Sequence, residues 1–478
     1  MAVAAGQSHT VLVGEDGSVF SFGKNVCGQL GTGDNVTTAN PTRVAGLPGA
    51  VRQVAAGLYH SGLVTEAGDL LMFGDGGSGQ LGLGDEDNRT TPTLVARVLF
   101  DGEAVLMVAC GYYKTVVATE NGGVYTFGAQ KEGDENNQLV PMRVPAAAFR
   151  RIGSAEGPGE RIVMVATGDW HTVALSEAGH VFTWGLGMHG RLGHNDSENQ
   201  EAPRHVDNEW FRGKRVVFVA AGEDHTVAVT AGGRLYTWGR GYFGRLGHGD
   251  TDHRLVPTLV QGFGVTAEGQ VVTAACGGQH TLVVTQEGAL WACGCGCDGR
   301  LGLNDVADRH VFERVGRAAF GGARVVAAAA GSRHSTALTE NGALWTWGRG
   351  NEGRLGHGDL ENRLVPTRVA AASLNHRKIG RCRLLPEDHV LAFTMGTHDR
   401  LGEASPVETM AGKPELVSMI ARAGNRWVGG KAGESEGLIR LLGGVSADRR
   451  ERYVQSIYCE STVPNRQPRH CRKCQLPH

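Results

Sequence analysis

HTVAVTAGGRLYTWGRGYFGRLGHGD, residues 225–250, decides the fold. Apolar residues alternate on both sides of its Ala-Gly-Gly turn, the period-two pattern of a β-hairpin rather than a helix. The glycine-rich loop GxGxxGRLGHGD follows from Gly239, and PTLV at Pro257 adds a third strand. Just upstream, RVVFVAA leads into Gly222 and supplies a fourth. One unit of four short strands therefore fits in about 55 residues, the length of a propeller blade or solenoid repeat.

The unit recurs along the chain. GxxH stands as GQSH at Gly6, GLYH at Gly57, GDWH at Gly168, GEDH at Gly222, GGQH at Gly277 and GSRH at Gly331, with a degenerate GYYK at Gly111. Successive intervals are 51, 54, 57, 54, 55 and 54 residues, which gives seven units near 3–44, 54–95, 108–144, 165–206, 219–260, 274–315 and 328–369. Asp16-Gly17, Asn121-Gly122 and Asn341-Gly342 at the hairpin tips suit a type I′ turn. Four antiparallel strands per unit, seven times over and without intervening helices, predict an all-β, seven-bladed propeller closed into a ring. A solenoid would need polar caps at both ends, whereas the first unit is at full consensus from residue 3. Residues 376–402 look like an abbreviated eighth unit, expected to pair with the N-terminal strand and close the ring.

Composition agrees with a turn-dense folded chain. Glycine accounts for 73 of 478 residues, about twice the ~7% usual share. Only 15 residues are proline, 41% are hydrophobic and no Gly-X-Y period runs through the chain, which argues against collagen and low complexity. The net charge of −2 sets up no whole-chain field for nucleic acid or membrane. It is unevenly spread, since residues 376–478 hold 17 Lys and Arg against 11 Asp and Glu. No apolar run reaches the ~18 residues of a membrane-spanning helix, and the ten irregularly spaced cysteines read as free thiols. A monomer in the cytoplasm, the nucleus or both is expected, with no membrane association.

The sequence AAGxxHT, then LYTWGxGxxGRLGHGD, then PTxV resembles the repeats of the regulator of chromosome condensation family over residues 1–402. The resemblance implies a seven-bladed propeller. Members of that family include an exchange factor for the small GTPase Ran, a plant ultraviolet-B photoreceptor and propeller modules of large ubiquitin ligases and kinases. The photoreceptor pattern GWRHT has tryptophan directly after the glycine, and Gln7, Leu58, Tyr112, Asp169, Glu223, Gly278 and Ser332 stand there instead. A ligase would need a catalytic domain larger than the 76 residues after the propeller. For an exchange factor, the insertion RRIGSAEGPGERI at 150–162 is short for a nucleotide-displacing wedge. The leading expectation is a non-enzymatic scaffold that binds protein partners through its loop faces and needs no cofactor. Nucleotide exchange on a Ran-like GTPase is the alternative, and chromatin or nucleic-acid association through the basic tail is a second.

Candidate contacts follow from the loops. Arg191, Arg245, Arg300 and Arg354 each precede an aspartate by five residues, at Asp196, Asp250, Asp305 and Asp359. The simplest reading is a turn in which Asp caps backbone N–H groups and Arg covers its neighbour. Equivalent loops share one face of a propeller, so these arginines with Arg240, Arg349 and the odd Lys114 are partner-binding candidates, sought first in units four to seven. Those units also carry loop histidines, whereas unit two has Asp75, Asp85, Glu86 and Asp87 and unit three has Glu132, Asp134 and Glu135. His9, His60, His171, His225, His280 and His334 occur once per blade and therefore read as structural, each satisfying a backbone group at its turn, rather than as converging metal ligands. Phe22, Phe73, Phe127, Trp184, Trp238 and Trp347 read as core. Cys293, Cys295 and Cys297 stand in the loop of unit six, where thiols take soft metals or oxidise but are more often incidental. Cys459, Cys471, Cys474 and His478 have zinc-ligand chemistry at the end of the 403–478 extension, in an Arg- and Pro-rich tail whose composition also suits disorder. Short amphipathic helices are expected over 408–445. No GxSxG, Walker A or HExxH motif points to covalent catalysis.

Overall fold

The computed structural model describes residues 3–130, 137–151, 159–264 and 269–370. In the first blade, β1 (Val3–Ala5), β2 (His9–Val13), β3 (Val19–Gly23) and β4 (Thr38–Val44) pair antiparallel in sequence order. Six more sheets of four consecutive strands follow, making a seven-bladed propeller. The described residues contain no α-helix, only 3₁₀ turns. The expected closing segment 376–402, the helices over 408–445 and the Cys459, Cys471, Cys474 and His478 group lie outside the described residues.

Burial follows strand position. The second and third strands of each blade are almost wholly buried, as in HTVLV and VFSFG of blade one. The fourth strand alternates and faces solvent. The first strands converge on the axis and are rich in alanine there, leaving a channel of about 190 Å³ lined by Ala55, Ala109, Ala166, Ala220, Ala274 and Ala328 among others. Seven backbones approach one axis most easily when their side chains are small.

The hairpin tips are not type I′ turns. Gly17, Gly122 and Gly342 have φ of 73°, 84° and 74°, whereas Asp16, Asn121 and Asn341 are not in the positive-φ region. Each glycine N–H bonds the carbonyl three residues back, Gly14, Thr119 and Thr339 respectively. A type I turn followed by a left-handed glycine needs positive φ at one residue only.

Glycine also sets the spacing between blades. At the GxxH glycines, a Cβ would run into the next blade's glycine carbonyl: Gly6 meets Gly57, Gly57 meets Gly111, and so on to Gly331, which meets Gly6. The glycine of RLG, or of QLG in blades one and two, sits on the core aromatic of the next blade, Gly31 on Phe73, Gly82 on Phe127, Gly193 on Trp238, Gly302 on Trp347 and Gly356 on Phe22. Phe22, Phe73, Phe127, Trp238 and Trp347 are accordingly fully buried, and Trp184 nearly so. Gly247 breaks the pattern, because Cys293 replaces the aromatic there. Phe312 fills the space from the fourth strand, where Pro257 and Pro366 stand in blades five and seven.

Candidate functional site: the channel mouth and its loop face

In an antiparallel four-strand blade, the turn between strands one and two and the loop between strands three and four emerge at the same end. The six GxxH turns, the GYYK turn of blade three and the glycine-rich loops of the other six blades therefore share one face, around a channel mouth of about 180 Å³.

Blade-to-blade relays hold this face together. The GxxH histidine bonds a hydroxyl on the next blade rather than a backbone group of its own turn. His9 reaches Ser61, His60 Thr115, His171 Thr226, His225 Thr281, His280 Ser335 and His334 Thr10, through Nε2 at 2.8–3.0 Å. Each hydroxyl donates its proton to a loop carbonyl of the histidine's own blade at 2.7–3.0 Å, as Thr226 does to Arg191. The hydroxyl has one proton to give, so Nε2 must carry the other, and Nδ1 is left bare and buried without a partner. Burial keeps these rings neutral: it lowers His9 and His225 to about 3 and His60 to about 4, with neighbouring charges adding to the shift in His9. The link from His334 to Thr10 closes blade seven on blade one in the same way.

The loop arginines are buried rivets. Arg191, Arg245, Arg300 and Arg354 are at most 4% exposed, so they cannot touch a partner directly. Nε of each bonds the carbonyl three residues back, at Met188, Tyr242, Cys297 and Asn351. From there Arg245 reaches Gly278 O, Arg300 Ser332 O and Arg354 Gln7 O, all in the turn of the next blade, and Arg191 pairs with Asp224 at 2.8 Å. The aspartates cap as expected: Asp196, Asp250, Asp305 and Asp359 accept the N–H two residues on. They also pair with Arg204, Arg254, Arg309 and Arg363. Much of the expected charge contrast around the face is thus cancelled locally, and Glu132, Asp134 and Glu135 lie outside the described residues. His194, His248 and His357 bond Thr183, Thr237 and Thr346 at 2.9 Å, and burial holds them below the usual histidine range.

Lys114 is buried too, at 2% exposure, in the register position the histidines hold elsewhere. Burial lowers it to about 7, with the Arg191 charge adding and Asp169 opposing. Burial also raises Asp169 to about 8, reinforced by Glu223 and Asp224 and opposed by Arg191 and Lys114.

What the face does present runs from blade two to blade five. Tyr112 and Tyr113 meet edge to face at 4.6 Å, and Trp170 lies 5.7 Å from Tyr112. Tyr59 is covered by Lys24 at 5.1 Å. Beyond Trp170 come Asp169, Glu223 and Asp224, then Arg240, which pairs with Asp224 at 2.9 Å and stacks on Tyr242 at 4.8 Å. Tyr242 is 46% exposed and Phe243 38%. Across the mouth, the Ser332 hydroxyl donates to Glu223 at 2.6 Å, and the Glu223 carboxylate passes over Gly278, which has no side chain to block it. Arg240 and Arg349 remain partly exposed. Sequence reasoning passed over Tyr59, Tyr113 and Trp170, which stand one position beyond the residues weighed in each turn.

The family model described as RCC1-like domain matches residues 98–434, and the regulator of chromosome condensation (RCC1) repeat matches 16–64 and 67–118. The chain belongs to the RCC1 family. Among relatives of this RCC1 protein, the ultraviolet-B receptor UVR8 of Arabidopsis thaliana is 31% identical, covering 78% of this chain and 82% of its own. The human E3 ubiquitin-protein ligase HERC2 is 34% identical over 78% of this chain, which amounts to 8% of the ligase's length. Human WBSCR16 superposes with a TM-score of 0.64 at 26% identity, covering 74% of this chain and 94% of that one. Yeast RCC1 (Prp20), bound to Kap60, gives 0.63 at 24%, covering 74% and 83%, a likeness of fold. With these relatives the chain is an RCC1-type regulatory protein.

Proposed function

We propose that this RCC1 protein is a docking scaffold whose partner seats on the loop face over blades two to five. The observation that carries the reading is the half-buried aromatic and carboxylate crescent Tyr59, Tyr112, Tyr113, Trp170, Asp169, Glu223 and Asp224, ending at Arg240 and the exposed Tyr242. Tyrosine, tryptophan and arginine dominate binding energy at protein interfaces, the aromatics because they bury large area with few rotamers to freeze and arginine because its planar fork makes several directed hydrogen bonds. Asp224 is already paired with Arg191 and Arg240 and burial favours the protonated form of Asp169, so the Glu223 carboxylate is the group suited to a Lys or Arg of a partner segment that is otherwise apolar. Arg240 flanks the same crescent, whereas Arg349 stands in blade seven, outside it.

Trp170→Ala and Tyr113→Ala test this. Both side chains are half-buried and outside the relays, so the variants keep the fold. Loss of partner binding by about tenfold or more per variant is expected for residues at the centre of an interface. Undiminished binding by both would place the interface elsewhere. Nucleotide exchange on a Ran-like GTPase is the competing outcome, and accelerated release of fluorescent GDP from such a GTPase would establish it.

A further inference from the structure

The loop of blade six departs from its sisters at three positions at once. Cys295 stands where blades four, five and seven have Leu186, Arg240 and Arg349, and Cys297 where they have Met188, Tyr242 and Asn351. Asp308 stands where blades two, four and seven have Asn88, Asn199 and Asn362. Asn88, Asn199 and Asn362 perform one structural task, accepting the N–H of a loop glycine. Asp308 does the same for Gly296 at 2.9 Å. The cap therefore needs no charge, yet this blade has one, and it has it beside two thiols. The ligand atoms of Cys295, Cys297 and Asp308 all lie within 4.8 Å of one another.

We propose that Cys295, Cys297 and Asp308 form a binding site for a soft divalent metal ion of the zinc or cadmium type. Two thiolates and one carboxylate fill three corners of a tetrahedron, and thiolate ligands select such ions over magnesium or calcium, which require oxygen. Ligands around an ion with Zn–S of ~2.3 Å stand roughly 4 Å apart, so small side-chain rotations close the set. Cys295 is buried and fixes one corner, while Cys297 and Asp308 are exposed and leave the fourth open to water or a partner's side chain. Cys293, the third thiol of the cluster seen in the sequence, is not part of it: it is fully buried against the Arg245 carbonyl.

The test uses the full chain with Cys382, Cys459, Cys471 and Cys474 changed to serine, so that the chain beyond residue 370 contributes no thiolate. The reduced protein is titrated with cadmium, following thiolate-to-metal charge-transfer absorbance, and then with zinc in competition. One equivalent should bind. Cys297→Ser, which removes an exposed ligand, and Asp308→Asn, which installs the cap used in three other blades, should each weaken binding at least ~10-fold, the smallest loss usual even for groups that only support a ligand. Absence of a saturable equivalent in the parent, or parent-like affinity in either variant, overturns the site.

Discussion

His225 shows what single residues do in this ring. It donates to Thr281 on the next blade, its other nitrogen is bare, and burial lowers it to about 3 against an ordinary 6.5. Below pH 6.5 the unfolded chain takes up a proton that the folded ring refuses, so stability falls as pH drops from about 6.5 to about 3. Six such histidines should give steep acid sensitivity. His225→Gln retains a donor and removes the titration, so its unfolding free energy should decline less steeply between pH 6 and 4, by up to ~1.4 kcal/mol per pH unit; denaturant melts at several pH values check it. Gly222→Ala tests the glycine ring together with its histidine, since φ there is ordinary and an added Cβ would meet the Gly277 carbonyl at 2.5 Å and the His225 ring as well. A loss of about 1–3 kcal/mol or more is expected for such overpacking, read from the same melts. The sequence showed that these residues recur but not what they bond, because every partner sits in the neighbouring unit, 52–56 residues away for most of the histidines.

At the scale of elements, strands were legible because alternation and glycine turns are local signals. The type I turn with a left-handed glycine was not, since Asp-Gly and Asn-Gly suit either geometry. Blade six shows how neighbouring strands compensate. Cys293 in the third strand is too small for Gly247, and Phe312 in the fourth strand replaces a proline and covers it. Cys293→Trp alone should crowd Phe312, and Phe312→Pro alone should leave a void, each lowering stability by about 1–3 kcal/mol. The double variant restores the arrangement of blades five and seven, so its loss should be clearly smaller than the sum of the two. A double-mutant cycle on thermal or denaturant unfolding measures that coupling.

For the whole molecule, the seven-fold repeat announced the propeller and placed the loops on one face, but it misdirected the search for contacts. Regular spacing drew attention to Arg191, Arg245, Arg300 and Arg354, whose regularity reflects a shared structural task between blades. The residues left for a partner are the irregular ones, Tyr59, Tyr112, Tyr113 and Trp170 beside Asp169, Glu223 and Asp224, which occur in some blades and not others because the ring does not need them. Amide hydrogen exchange of the full chain, free and with a captured partner, tests the docking surface most directly. Slower exchange on binding at residues 57–60, 111–114, 168–171 and 222–225 is the predicted result. Protection confined to the hairpin tips at the opposite end, such as 14–18, 65–69 and 119–123, would contradict it.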